Sequence, residues 1–148
     1  MKKFKYKLQG MLRIKQSVEK EIRNELMGIQ RLVAEQENKI KDTEEKVSDW
    51  SSYYNTVMRR GFNAVQLSII DYHIQGLYRY REQLMISLEV YQRKKEDVIR
   101  QYTEVKREVK MLEHLRDKRL NEYRAEFNRQ EEKLSDEMAV LSFARQAM

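Results

Sequence analysis

Apolar residues return every seven positions along most of this chain. In one register Leu12, Glu19, Leu26, Val33, Ile40, Val47 and Tyr54 form one row, and Leu8, Lys15, Ile22, Ile29, Gln36, Thr43, Trp50 and Val57 the other. Alternating steps of three and four mark a helix that buries one narrow stripe against another helix. Residues 4–57 are therefore predicted to form one helix, about 80 Å long at 1.5 Å per residue. The rows are cleanest from Ile22 to Val57. Earlier, Ile14, Val18, Ile22 and Leu26 step by four, so the seam drifts and the coil locally unwinds. A second long pattern covers residues 74–141. Ile74, Leu88, Tyr102, Val109 and Tyr123 fit one row, and Leu77, Leu84, Tyr91, Val98, Val105 and Leu112 the other. Arg81, Lys95, Arg116 and Arg119 interrupt these rows, and polar seam residues lower stability while fixing register. Past Leu112 the phase slips, and Leu120, Phe127, Leu134 and Leu141 carry the stripe on.

Between the two patterns lies Met58-Arg59-Arg60-Gly61-Phe62-Asn63. Gly61 takes a positive φ without steric penalty, and Asn63 suits the cap of a following helix. The fold class is all-α: two long helices in an antiparallel coiled-coil hairpin. As a single domain, 1–148, it divides into a first arm at 4–57, a tip at 58–76, a second arm at 77–141 and a flexible tail at 142–148. Equal rise in both arms sets Trp50 opposite Tyr72 and Leu12 opposite Val109, and leaves everything past about Arg119 without a partner. The tip carries two apolar stripes, Phe62/Val65/Ile69/Tyr72 and Leu67/Ile70/Ile74/Leu77, and one partner helix covers only one of them. The other requires short helices folded back within the tip, or a different protein. Half of the aromatic side chains cluster here: Trp50, Tyr53, Tyr54, Phe62, Tyr72, Tyr78 and Tyr80. Trp and Tyr are enriched where one protein grips another, but they also thicken a local core.

Composition sharpens this picture. The 148 residues include no Pro, four Gly and 36% charged side chains, a balance suited to long helices with wetted flanks. Pairs such as Glu19/Arg23, Glu35/Lys39, Glu37/Lys41 and Asp42/Lys46 support the helix without implying function. The net charge of +6 sits at one end. Lys2, Lys3, Lys5, Lys7, Arg13, Lys15 and Lys20 face Glu19 alone, and the remaining 23 bases (30 less 7) balance 23 acids (24 less 1). Such an end is either simply solvated or guides an acidic partner or anionic surface. A nucleic-acid tracker would carry basic residues along a face, which the balanced remainder lacks.

Candidate chemistry is sparse. There is no Cys. His73 and His114 lack a neighbour at helical spacing that would complete a metal or acid/base motif. No phosphate cradle or nucleophile turn occurs. A narrow two-helix seam offers no cavity that excludes water, so no enzyme, cofactor, metal or small-molecule substrate is expected. No apolar run reaches the length that spans a bilayer, and the basic amino end lacks the apolar run of a signal peptide, so a cytoplasmic location is expected.

Three segments resemble the FliJ family of the bacterial flagellar export apparatus. They are Phe4-Lys5-Tyr6-Lys7-Leu8-Gln9-Gly10-Met11-Leu12, then Leu112 to Arg119 followed by Tyr123, then Lys133 to Ala139. The resemblance implies a non-enzymatic hairpin similar to the central shaft of rotary ATP synthases. It implies seating in the hexameric export ATPase FliI and contact with the cytoplasmic domain of the membrane export gate FlhA. Through these contacts ATP hydrolysis and the proton motive force are coupled to subunit export, at the inner face of the cell membrane. Escort of export chaperones is implied as well. The gate-binding patch carried over is Thr43, Val47, Trp50 and Tyr54 on the first arm, with Tyr72, Leu77 and Tyr80 on the second. Val47 and Thr43 stand where the family has longer side chains. The ATPase-facing end is Lys2, Lys3, Lys5, Lys7 and Arg13, with Arg116 and Arg119. Three alternatives remain: the equivalent stalk of a virulence secretion system, a straight coiled-coil scaffold zipped in parallel to a second copy, and a nucleic-acid binder.

Overall fold

The computed structural model describes residues 2–61 and 63–147. Two helices account for nearly all of them: α1, Gln9–Arg59, and α2, Ala64–Ala147. They pack against each other with no strand among the described residues, an all-α helical hairpin. The chain folds back where expected. Gly61 has φ 89°, and the Val65 amide donates to Asn63 Oδ1 at 3.0 Å while the Leu67 amide donates to the Asn63 carbonyl. Asn63 thus satisfies one of the amides that every helix start leaves open. A straight scaffold rod is therefore not the structure adopted. No short tip helices form: α2 is continuous from Ala64, ten residues before the heptad rows begin, and it continues past residue 141 to Ala147.

The chain divides into two compact units. The turn unit, Glu21–Tyr102, contains the fold-back. Its core is Ile29, Val33 and Val98, flanked by Ile22, Leu26, Leu88 and Tyr91, and Ile70, 2% exposed, is its most deeply buried side chain. The terminal unit joins Met1–Lys20 to Thr103–Met148. Its core is Leu12, 0% exposed, with Tyr6 and Val109. Within each unit, numbers rising along α1 meet numbers falling along α2, the mark of antiparallel packing: Glu44 meets Arg81 and Trp50 meets His73 in one, Tyr6 meets Leu112 and Lys15 meets Glu108 in the other.

Both heptad rows of the first arm are covered, from Leu8 through Val57. Their polar members are accommodated individually. The Thr43 hydroxyl donates to the Lys39 carbonyl of its own helix at 2.7 Å, and Lys15 reaches Glu108 Oε2 at 2.6 Å. On the second arm Arg81 Nε lies 3.0 Å from Glu44 Oε1. Lys15 and Arg81 therefore reach partners across the helix pair, which ties them to one register.

The amino end departs from the expected helix. Residues 2–6 form no helix, a turn closes from the Gln9 amide to the Tyr6 carbonyl at 3.1 Å, and α1 opens at Gln9 rather than at residue 4. Tyr6 reaches Leu112 while Lys2 reaches Tyr123. The two contacts lie about 16 Å apart along α2, far more than four helical residues cover, so the chain from Lys2 to Tyr6 is nearly extended and the reach of the tyrosine side chains makes up the rest. This strap explains why α2 is covered beyond Arg119. An extended residue covers about twice the helix length that a helical one does. Coverage still ends: every described residue from Phe127 to Ala147 is exposed, including Leu134, Met138 and Leu141.

Candidate functional site

The turn unit settles which of its two apolar stripes is seam. Leu67, Ile70, Ile74 and Leu77 are buried or half-buried against α1, whereas Val65 is 64%, Ile69 54% and Tyr72 71% exposed. Phe62, the first member of the exposed stripe, lies outside the described residues. At positions i, i+4 and i+7 these side chains share one face of α2, turned away from the seam. Exposed large apolar groups that recur at helical spacing, unlike scattered single ones, mark a contact surface.

Beside this face lies a shallow groove of about 440 Å³, lined by Trp50, Tyr72, His73, Gly76, Leu77 and Tyr80 among others. The Trp50 and His73 rings stack with centroids 4.9 Å apart and planes 16° from parallel. Tyr72 stands edge-on to His73 and Tyr53 edge-on to Trp50. Gly76 has no heavy atom within 4 Å of where a Cβ would stand, so its missing side chain opens the groove floor. A half-buried Trp with exposed Tyr at its rim provides large flat area at low conformational cost, the makeup of an interface anchor.

Of the patch expected on the turn unit, the structure gathers Trp50, Tyr72, Leu77 and Tyr80 into this one groove. Val47 is half-buried beside a smaller groove that it shares with Glu44, Tyr78 and Arg81. Tyr54 is half-buried in the seam row. Thr43 is 3% exposed and its hydroxyl is bonded within α1, so it offers a partner no surface. Its place in the heptad predicts that burial. His73 and Gly76 line the groove too, although neither belongs to the expected patch. His73 carries no ligand-type spacing, and only the fold-back brings it onto Trp50.

The terminal unit places the basic residues differently from one another. Lys2, Lys3 and Lys5 line a groove of about 780 Å³ with Phe4 and Tyr123, and Lys7 and Arg13 are exposed. Arg116 is half-buried with Nε 3.6 Å from Asp117, and the Arg119 guanidinium carbon lies 5.9 Å from the centre of the Tyr6 ring. Arg119, itself exposed, thus lies over a ring of the strap, whereas the contact of Arg116 is with its own helix neighbour. Phe4, Tyr6 and Tyr123 are the residues sequence reasoning missed here. The signal was the alternation Lys3-Phe4-Lys5-Tyr6-Lys7-Leu8, a period of two that marks extended chain.

No group of three or more metal-ligating side chains occurs among the described residues, and no helix is long and apolar enough to cross a membrane. Neither the curated proteins nor the solved structures provide a match. Residues 4–148 match the family model described as Flagellar FliJ protein. That span holds both helices, the groove and nearly all of the strap, and the chain therefore belongs to the FliJ family, a non-catalytic component of the flagellar export apparatus.

Proposed function

We propose that this protein is the stalk and escort of the flagellar export apparatus, seated by its terminal unit in the hexameric export ATPase FliI and docking its turn unit on the cytoplasmic domain of FlhA. Held between those partners at the inner face of the membrane, it transmits ATP hydrolysis to the gate that admits export subunits. Export chaperones are a further class of partner for the same role. The observation that carries the reading is the second apolar stripe of the turn unit. Val65, Ile69 and Tyr72 are exposed although the seam they could have joined is already filled, and they run beside a groove built on a stacked Trp. A patterned apolar face left open beside a filled seam supports action by contact. The basic residues of the terminal unit supply a second surface with a different chemistry, suited to an acidic partner.

Two surfaces with two partners give a crossed test. Ile69→Ser with Tyr72→Ala is expected to weaken binding to the FlhA cytoplasmic domain at least tenfold and to leave FliI binding intact. Lys5→Glu with Lys7→Glu and Arg13→Glu is expected to do the reverse at physiological salt. Loss of both partners with either set, or of neither, contradicts the assignment. Trp50 and Tyr54 are unsuitable for this test because both are half-buried in the seam rows.

A further inference from the structure

The strap sorts its side chains by chemistry. Tyr6 is buried, Phe4 and Leu8 are half-buried, and Lys2, Lys3, Lys5 and Lys7 are exposed. Three contacts pin it: Tyr6 Oη donates to the Leu112 carbonyl at 2.9 Å, Tyr123 Oη donates to the Lys2 carbonyl at 2.6 Å, and the Phe4 and Tyr123 ring centroids lie 5.5 Å apart. A carbonyl inside a helix already accepts one bond, and here the Leu112 carbonyl accepts a second from a residue 106 positions away in sequence. None of the ion pairs among the described residues involves Lys2, Lys3, Lys5 or Lys7. The segment therefore keeps four exposed ammonium groups without an ion-pair partner, Lys3 and Lys5 on the face opposite the rings of Phe4 and Tyr6, while using those rings as anchors.

We infer that the docked strap is a binding site for a carboxylate-rich protein surface, with Phe4 and Tyr6 holding Lys3 and Lys5 side by side and Lys2 and Lys7 flanking them. This deepens the ATPase-facing assignment above, on which it rests, by naming the chemistry the partner presents. Lys3 and Lys5 stand about 7 Å apart on an extended chain, close to the roughly 6 Å between acidic residues one turn apart on a helix. Other anions fit less well. Membrane-surface segments insert apolar side chains next to their lysines, but here the rings face α2. Phosphate recognition favours the forked guanidinium, yet all four exposed charges of the strap are lysines, and the Arg119 guanidinium lies over the Tyr6 ring. The strap fixes what would otherwise be a free tail, so binding does not have to order it.

The test uses the full chain and a labelled poly-L-glutamate of about 20 residues, titrated at about 150 mM salt, with hydroxyl-radical reactivity of the Tyr123 ring, which the docked strap covers, followed alongside. Lys5→Glu with Lys7→Glu is expected to abolish binding. Phe4→Ala with Tyr6→Ala leaves the charge unchanged; it is expected to release the strap, seen as a rise in Tyr123 reactivity, and to weaken binding about fivefold. The inference is overturned if that variant releases the strap yet binds as the natural chain does, if Tyr123 reactivity does not rise, or if phosphatidylserine vesicles or duplex DNA bind more tightly than poly-L-glutamate. Purified ATPase hexamer is titrated in parallel. Should the hexamer ignore the chain while strap-dependent poly-L-glutamate binding holds, the ATPase assignment falls and the carboxylate site stands.

Discussion

The turn unit has more apolar surface than its seam consumes, and the terminal unit has more helix than its partner covers. In the first, α1 fills one stripe of α2 and a second stripe is left beside the groove of Trp50, Tyr72 and Tyr80. In the second, α1 begins only at Gln9, an extended strap takes over as far as Tyr123, and α2 continues bare to Ala147. The same heptad chemistry thus yields opposite kinds of exposed surface, one apolar and aromatic, the other basic and held by buried rings.

The largest expected effects test whether the two seams are equally sound. Leu12→Ala in the terminal unit and Ile70→Ala in the turn unit remove the two most deeply buried side chains and should each cost about 2–5 kcal/mol by thermal or denaturant unfolding. A cost below about 1 kcal/mol at either position would mean that its seam is loose. Tyr72→Ala, by contrast, should change stability by less than about 0.5 kcal/mol, because its ring is mostly in solvent.

Next come changes that separate anchor from backbone. Tyr6→Phe keeps the ring but deletes the hydroxyl bonded to Leu112, for an expected loss of about 1 kcal/mol. Gly61→Ala forces a side chain into the left-handed region and should cost about 1–2 kcal/mol, although nothing crowds the site. Gly76→Ala has the opposite sign. In a helix with open space it should stabilise by about 1 kcal/mol, yet it raises the groove floor and is expected to weaken gate binding. A variant that melts higher and also binds more tightly would show that the groove is not the contact.

The smallest effect concerns the bare end of α2. Arg129 Nε and Nη2 lie 3.0 Å and 2.8 Å from the two oxygens of Glu126. The hydrogen bond from Arg129 holds the Glu126 carboxyl below its ordinary range, while the same bond raises Arg129. A lowered carboxylate pKa gives stability that is present above the unfolded value and lost as pH falls through the folded one. In a pair at the surface solvent screens most of it. Glu126→Gln should therefore melt with the natural chain at pH 7 and at pH 3 alike, whereas a variant that melts lower at pH 7 but not at pH 3 would mean that this end is shielded.

Much of this was legible in the residues. The heptad rows located the seam on both arms, and Gly61 with Asn63 located the fold-back, because turn and cap chemistry is local. Surplus stripes were visible too, but which one α1 would cover was not, since that depends on the rotation of one helix against another. The break at Gln9 was obscured for a related reason. Heptads running from Leu8 onward extend backward onto residues 4–7, while the competing period of two occupies only a few positions. Its advantage appears only when Leu112 and Tyr123, more than a hundred residues away, are brought alongside. Thr43 shows the reverse error, since the heptad already assigned it to the seam and the family resemblance drew it to the surface.

Side-chain footprinting by hydroxyl radicals, with and without the FlhA cytoplasmic domain, tests the central claim most directly. Val65, Ile69, Tyr72 and Tyr80 should react readily in the free chain and become protected in the complex, while Leu67 and Ile70 stay unreactive in both. Protection confined to residues 127–147, with the turn-unit face still reactive in the complex, would contradict it.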